Sequence, residues 1–155
     1  MQKILVSACL LGCPVRYDGQ SKPVHHEQLE RLNARGWLVP FCPETAGGLP
    51  TPRPAAEIQE DGRVMTACGK DVTCSFVKGA ELALETCQRE HIHTAILKQS
   101  SPSCGSKLIY DGQFHQKKIH GQGLTAKLLQ QHQIQVLSED DLDQLFDLTS
   151  ESTHR

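Results

Sequence analysis

Positive charge is not in excess in this chain: 16 Lys and Arg face 18 Asp and Glu, a formal net charge of −2 over 155 residues. Affinity for nucleic acid comes largely from neutralising phosphates, so this balance argues against such a partner. Aromatic residues are sparse, at 5% with one Trp. No apolar run approaches the roughly 20 residues needed to cross a bilayer as a helix. The opening "MQKILVSACLLG" carries a single Lys, and its apolar stretch is soon broken by Gly12, Pro14, Arg16 and Asp18, so no signal peptide is expected. Together these exclusions predict a soluble cytoplasmic protein with no membrane partner. An even cysteine count is also missing. Seven cysteines in a reducing compartment argue against a disulfide framework and leave small buried hydrophobes, ligands or nucleophiles. No histidine pair has the HExxH spacing of a metal site, and His25, His26, His91, His93, His115 and His120 read as solvated surface.

A chain of 155 residues is long enough to bury about two thirds of its unfolded surface in one core. Ile4 to Val6, Trp37 to Phe41, Thr94 to Leu97 and Gln135 to Leu137 are short, partly β-branched and bounded by turn residues, and are read as strands. Helical spacing runs through "HHEQLERLNARG", "TCSFVKGAELALETCQRE", "GLTAKLLQQHQ" and, after the N-cap Ser138, "SEDDLDQLFDL". Alternating strands and helices predict an α/β, Rossmann-like three-layer fold with a mostly parallel sheet. The Asp-Gly pairs in "EDGR" and "LIYDGQF" predict two small hairpin insertions. Residues 1–148 are expected to form one domain and 149–155 a frayed tail.

Against this outline the cysteines sort themselves. Cys9, Cys42 and Cys104 each lie shortly after the carboxyl end of a predicted strand, the edge where open parallel sheets bind ligands. Their loops, "LLGCPVRYDG", "PETAGGLPTPR" and "SSPSCGS", look built for close approach, and Arg16 or Arg53 nearby would lower thiol pKa values. Cys87 falls on the apolar side of a helix and reads as core. Cys68 and Cys74 flank a helix start. Cys13 forms CxxxC with Cys9, which is neither a compact ferredoxin nor a zinc spacing.

The motifs "SACLLG…VRYDG", "FCPETAGGLPTPRPAAEI" and "LKQSSPSCGS…YDGQF", in this order from Lys3 to about Glu139, resemble those of the thiouracil desulfurase family. The resemblance implies a [4Fe-4S] cluster held by three cysteines with one iron left open. Carried over position by position, the ligands are Cys9, Cys42 and Cys104, and Cys13 falls outside the motif set. Glu44 in "CPE" corresponds to the acidic residue beside the cluster, and Ser101 in "SPSC" to the motif serine.

The implied activity is non-redox desulfuration of a small thiobase such as 2- or 4-thiouracil. Glu44 would serve as general acid/base and Ser101 would position water or substrate. Lys98 and Arg16 are candidate substrate-binding, anion-stabilising neighbours, and "VRYDG" a candidate pocket wall. Competing readings use the same residues differently: a zinc hydrolase on the three cysteines, a non-catalytic cluster or metal module, or a Cys9–Cys13 redox pair. In the plainest reading Glu44 caps a helix, Ser101 forms a turn and Arg16 pairs with Asp18. A monomer is the expected state.

Overall fold

Every position of the first strand, β1 (Ile4–Ser7), is buried, and the reason is a layer of helix on each side of it. Alternate residues of a strand point to opposite faces. Ile4 and Val6 pack with Leu29 of α1 (Glu27–Ala34), while Leu5 packs with Ala83 and Cys87 of α3 (Thr73–Arg89) and with Ala126 and Leu129 of α4 (Leu124–Gln131). An uninterrupted apolar strand is what a sheet covered on both faces requires, and each such side chain contributes about 1.5–3 kcal/mol by leaving water.

The computed structural model describes residues 3–12, 18–19 and 26–142. β1 pairs in parallel with β2 (Leu38–Phe41) on one edge and with β5 (Thr94–Ile96) on the other, and β5 pairs in parallel with β8 (Gln135–Leu137). The order β2-β1-β5-β8 is the expected Rossmann-like three-layer α/β arrangement. From β1 the chain steps outward to β2 and then crosses back beyond β1 to β5. This reversal opens a crevice at the carboxyl ends of the strands. Two antiparallel hairpins, β3 (Ala56–Ile58) with β4 (Val64–Thr66) and β6 (Leu108–Tyr110) with β7 (Lys118–His120), match the two Asp-Gly signals.

Differences from expectation are local. Trp37 and Leu97 lie just outside their strands, although the Leu97 N–H still donates to Leu137 O at 2.8 Å. After Ser138 the described chain forms only a 3-10 turn, Glu139–Asp141, closed by a capping box between Ser138 and Asp141. The rest of that predicted helix, the boundary at 148 and the tail 149–155 lie outside the described residues, as do Cys13, Arg16 and His25. No helix among the described residues is long and apolar enough to cross a membrane.

One close approach holds the segment after β2 in place. α2 (Pro43–Ala46) is a single turn, and it meets α3 at backbone contact: a Cβ at Gly79 would lie 2.0 Å from Pro43 O, and one at Gly47 2.0 Å from Ser75 O. Both clashes are with backbone, which has no rotamer to change. Gly79→Ala therefore drives α2 off α3 and is expected to lower stability by about 1–3 kcal/mol, read as a fall in thermal midpoint. An unchanged midpoint would show that the two helices separate freely.

Candidate active site

Three strand ends deliver three cysteines to one place. β1 runs into a 3-10 turn, Ala8–Leu11, that buries Cys9. β2 is followed directly by Cys42, the N-cap of α2, with Pro43 at the first helical position where its missing N–H costs nothing. β5 leads into the loop that carries Cys104, which is 5% exposed. All three line a cavity of about 430 Å³, together with Glu44, Lys98, Ser100 and Ser101. Of the candidate site residues named from the sequence, Arg16 and Cys13 fall outside the described residues, and Arg53 is described but does not line this cavity. Asp18 and Gly19 of the predicted wall "VRYDG" are described and do not line the cavity.

The loop after β5 is organised by side chains acting on backbone. Gln99 Oε1 sits among the N–H groups of Ser106, Lys107 and Leu108 at 3.0–3.1 Å, and the Gln99 N–H donates to Glu139 at 2.8 Å. Ser7 Oγ accepts the Lys98 N–H at 2.9 Å, tying the end of β1 to the end of β5. Ser101 Oγ accepts from the N–H groups of Ser103 and Cys104 at 3.0 and 3.2 Å, the turn-forming role allowed for it. Its neighbour Ser100 differs: it is 5% exposed, holds a positive φ of 73, and its buried Oγ has no hydrogen-bond partner. Strained backbone and an orphaned hydroxyl at one cavity residue point to a functional role.

The electrostatics follow from burial. The Cys104 thiol is pushed well up, chiefly by desolvation, while a hydrogen bond from Ser7 opposes this and the negative charges of Glu44, Cys42 and Cys9 reinforce it. Arg53, one of the two arginines expected to lower the thiols, is not among the groups acting on Cys104 and pairs with Glu44 at 3.4 Å; the other, Arg16, lies outside the described residues. The Glu44 carboxyl is itself raised by burial, with the Arg53 charge and hydrogen bond pulling it back. Thr45 Oγ1 donates to Cys42 Sγ at 3.3 Å. The Lys98 ammonium pairs with Glu139 at 2.9 Å.

Besides Ser7, Gln99 and Ser100, cavity residues that the sequence did not single out come from the two hairpins: Glu57 from β3, Tyr110 and Lys118 from β6 and β7, and Phe114 from the turn between them. A faint signal existed for Glu57, an acid between Ala56 and Ile58 on the inward side of a strand. Cys87 is core, its thiol raised to about 11 by burial, and Cys68 and Cys74 are exposed.

This donor set suits a cluster better than a single ion. Zinc at about 2.3 Å from each sulfur needs thiolates within roughly 4 Å of one another, and among the described residues no three or more His, Cys, Asp and Glu side chains form a ready site for one metal ion. A cluster that offers each thiolate its own iron accepts thiols spread around a cavity wall. Burial that holds Cys104 protonated is overcome when a cationic group displaces the proton, and hydroxyls at Ser7 and Thr45 stand ready to donate to the sulfurs.

The family model described as 2-thiouracil desulfurase matches residues 4–141. The chain is 41% identical over 151 residues to the uncharacterized protein YbbK of Bacillus subtilis (strain 168), covering 92% of this chain and 99% of the relative. Among solved structures, a [4Fe-4S]-dependent thiouracil desulfidase, TudS, superposes with a TM-score of 0.93 at 54% identity, over 97% of this chain and 99% of that one.

Gln99→Leu keeps the bulk of the side chain and strands the N–H groups of Ser106, Lys107 and Leu108. It is expected to cost about 1–3 kcal/mol and to open the Cys104 loop, so that Cys104 in metal-free protein reacts faster with a thiol reagent. Unaltered reactivity would remove Gln99 from the organisation of the loop.

Proposed function

The chain belongs to the 2-thiouracil desulfurase family, and from that premise we propose that it exchanges the sulfur of a thiolated pyrimidine, such as 2- or 4-thiouracil, for oxygen. In this reading Cys9, Cys42 and Cys104 hold a [4Fe-4S] cluster. The observation that carries it is the meeting of these three thiols, from three strand ends, in one cavity with Glu44. When bound, the cluster supplies an iron with no protein ligand, a Lewis acid that polarises the C=S bond and takes up the departing sulfur.

The protein's own part is to handle water and protons. Water adds to the thiocarbonyl carbon, the adduct collapses to C=O, and sulfur departs as hydrosulfide, with no net change in electrons. The attacking water must lose protons, and Glu44, a carboxylate of the cavity wall paired with Arg53, accepts and returns them. Ser101 and Ser100 divide the hydroxyl work. Ser101 spends its lone pairs on the Cys104 loop and keeps its O–H for water or substrate, whereas Ser100 has both capacities unclaimed by protein and orients the water. Lys98 adds positive charge to the wall where negative charge develops, and Arg16 is the further substrate-binding candidate. The substrate is a free small thiobase rather than nucleic acid, and the protein works as a monomer in the reducing cytoplasm, where an oxygen-sensitive cluster survives.

Anaerobically reconstituted protein should be brown and hold roughly four irons and as many labile sulfides per chain. Cys9→Ser, Cys42→Ser and Cys104→Ser should each lose iron, and Cys87→Ala should keep it. With the cluster loaded, Glu44→Gln should cut sulfide release from 4-thiouracil by about 10²-fold or more with the visible spectrum intact, and Ser100→Ala should cut it by at least about tenfold. Colourless protein containing stoichiometric zinc would overturn the reading, and full turnover in Glu44→Gln would remove Glu44 from the mechanism.

A further inference from the structure

Glu57 is 8% exposed, in the middle of the three-residue strand β3. A buried carboxylate needs hydrogen-bond partners, and those of Glu57 lie on the other hairpin: Oε1 accepts from the N–H groups of Gly112 at 2.9 Å and Phe114 at 3.2 Å. A second strut runs beside it, Gln59 Nε2 donating to Gly112 O at 3.2 Å. The fit leaves no room at Gly112, whose φ is +91 and whose added Cβ would lie 2.8 Å from Ile58 O. The turn held this way joins β6 to β7 and is not at rest, since Phe114 and Gln116 sit at φ 59 and 65, values a non-glycine residue keeps only where its surroundings impose them. Phe114 lines the cavity while remaining 36% exposed, which places it at the mouth, between solvent and the cysteines.

We infer that Phe114 is a specificity-determining residue, the aromatic wall on which the substrate ring lies, and that Glu57 is the positioning residue that holds it there from the neighbouring hairpin. The inference rests on the reading of the cavity as a thiobase site and deepens it. A pyrimidine is planar with an exposed π face, and stacking on an aromatic side chain recognises that shape without a proton or a charge changing hands. Phe114 brings no group that moves a proton or takes up sulfur, so its contribution belongs to binding. Glu57 acts on substrate only through the two N–H groups it fixes, so a carbonyl oxygen in its place should do the same work.

In cluster-loaded protein, Phe114→Ala should raise the KM for 4-thiouracil about tenfold with kcat within about twofold. Glu57→Ala should do the same, the double variant should be no worse than either single one, and Glu57→Gln should stay near the parent chain. Hydrogen exchange of the amides at 112–116 should quicken at least about tenfold in Glu57→Ala and not in Glu57→Gln. Should Glu57→Ala fail to fold, Gly112→Ala strains the same turn from the other side and should give the same KM rise. A KM unmoved in Phe114→Ala overturns the wall. A further loss of kcat on adding Glu57→Ala to Phe114→Ala overturns the positioning role, since Glu57 would then act on substrate itself. If the parent chain releases no sulfide from any thiobase, the reading of the site fails, and the exchange measurement still decides whether Glu57 holds the turn.

Discussion

The carboxyl end of β1 is paired on both sides, to β2 from Ile4↔Leu38 through Ser7↔Phe41 and to β5 at Leu5↔Ala95 and Val6↔Ile96. That double pairing is the constraint on which the rest depends. In-register parallel strands end level with one another, so the residues that follow them, Cys9, Cys42 and the loop to Cys104, have no choice but to meet. Ser7 completes the alignment, its Oγ accepting the Lys98 N–H and its hydroxyl reaching Cys104. The helices then act as clamps. α3 fixes α2 at backbone contact through Gly47 and Gly79, and with it Cys42 and Glu44, which no long element of their own would hold.

Around this junction the charges are arranged by burial. The Cys104 thiol is buried beside Glu44, Cys42 and Cys9, which make it harder to ionise, and Glu44 is paired with the buried Arg53. Such a site is electrostatically incomplete as protein alone. A group carrying positive charge that draws protons off the thiols relieves it, which is how binding of a metal cluster and the acid/base role proposed for Glu44 come to share one environment. The two hairpins, inserted outside the α/β frame, add Glu57, Tyr110, Phe114 and Lys118 to the cavity wall, Phe114 among them as the proposed aromatic surface for a flat ring.

Much of this was legible in the sequence. The strands betray themselves as short β-branched runs between turn residues, and once they are placed the strand-end rule separates Cys9, Cys42 and Cys104 from Cys87, which periodicity puts in the core. Both hairpins follow from Asp-Gly turns. Ser100, Ser7 and Glu57 were hidden for a common reason: what each does depends on which partners it has or lacks across the fold. Nothing in "KQSSPSC" says that Ser101 takes the two backbone N–H groups and Ser100 none. Likewise the tie from Glu57 to Phe114 spans two hairpins 57 residues apart in sequence, set by packing that no local pattern encodes. The effect expected of Arg53 on the thiols is not seen at Cys104, whose thiol is raised by burial, while Arg53 pairs with Glu44, two residues along the chain from Cys42.

The central claim is that oxygen enters from water while sulfur leaves without electron transfer. Its most direct test is turnover of 4-thiouracil in ¹⁸O-water by anaerobic, cluster-loaded protein with no reductant or oxidant added. The account predicts uracil carrying a single ¹⁸O at the former thiocarbonyl and one hydrosulfide released per uracil, over many turnovers. Uracil without the label, or turnover that stops until an electron donor is supplied, would contradict it.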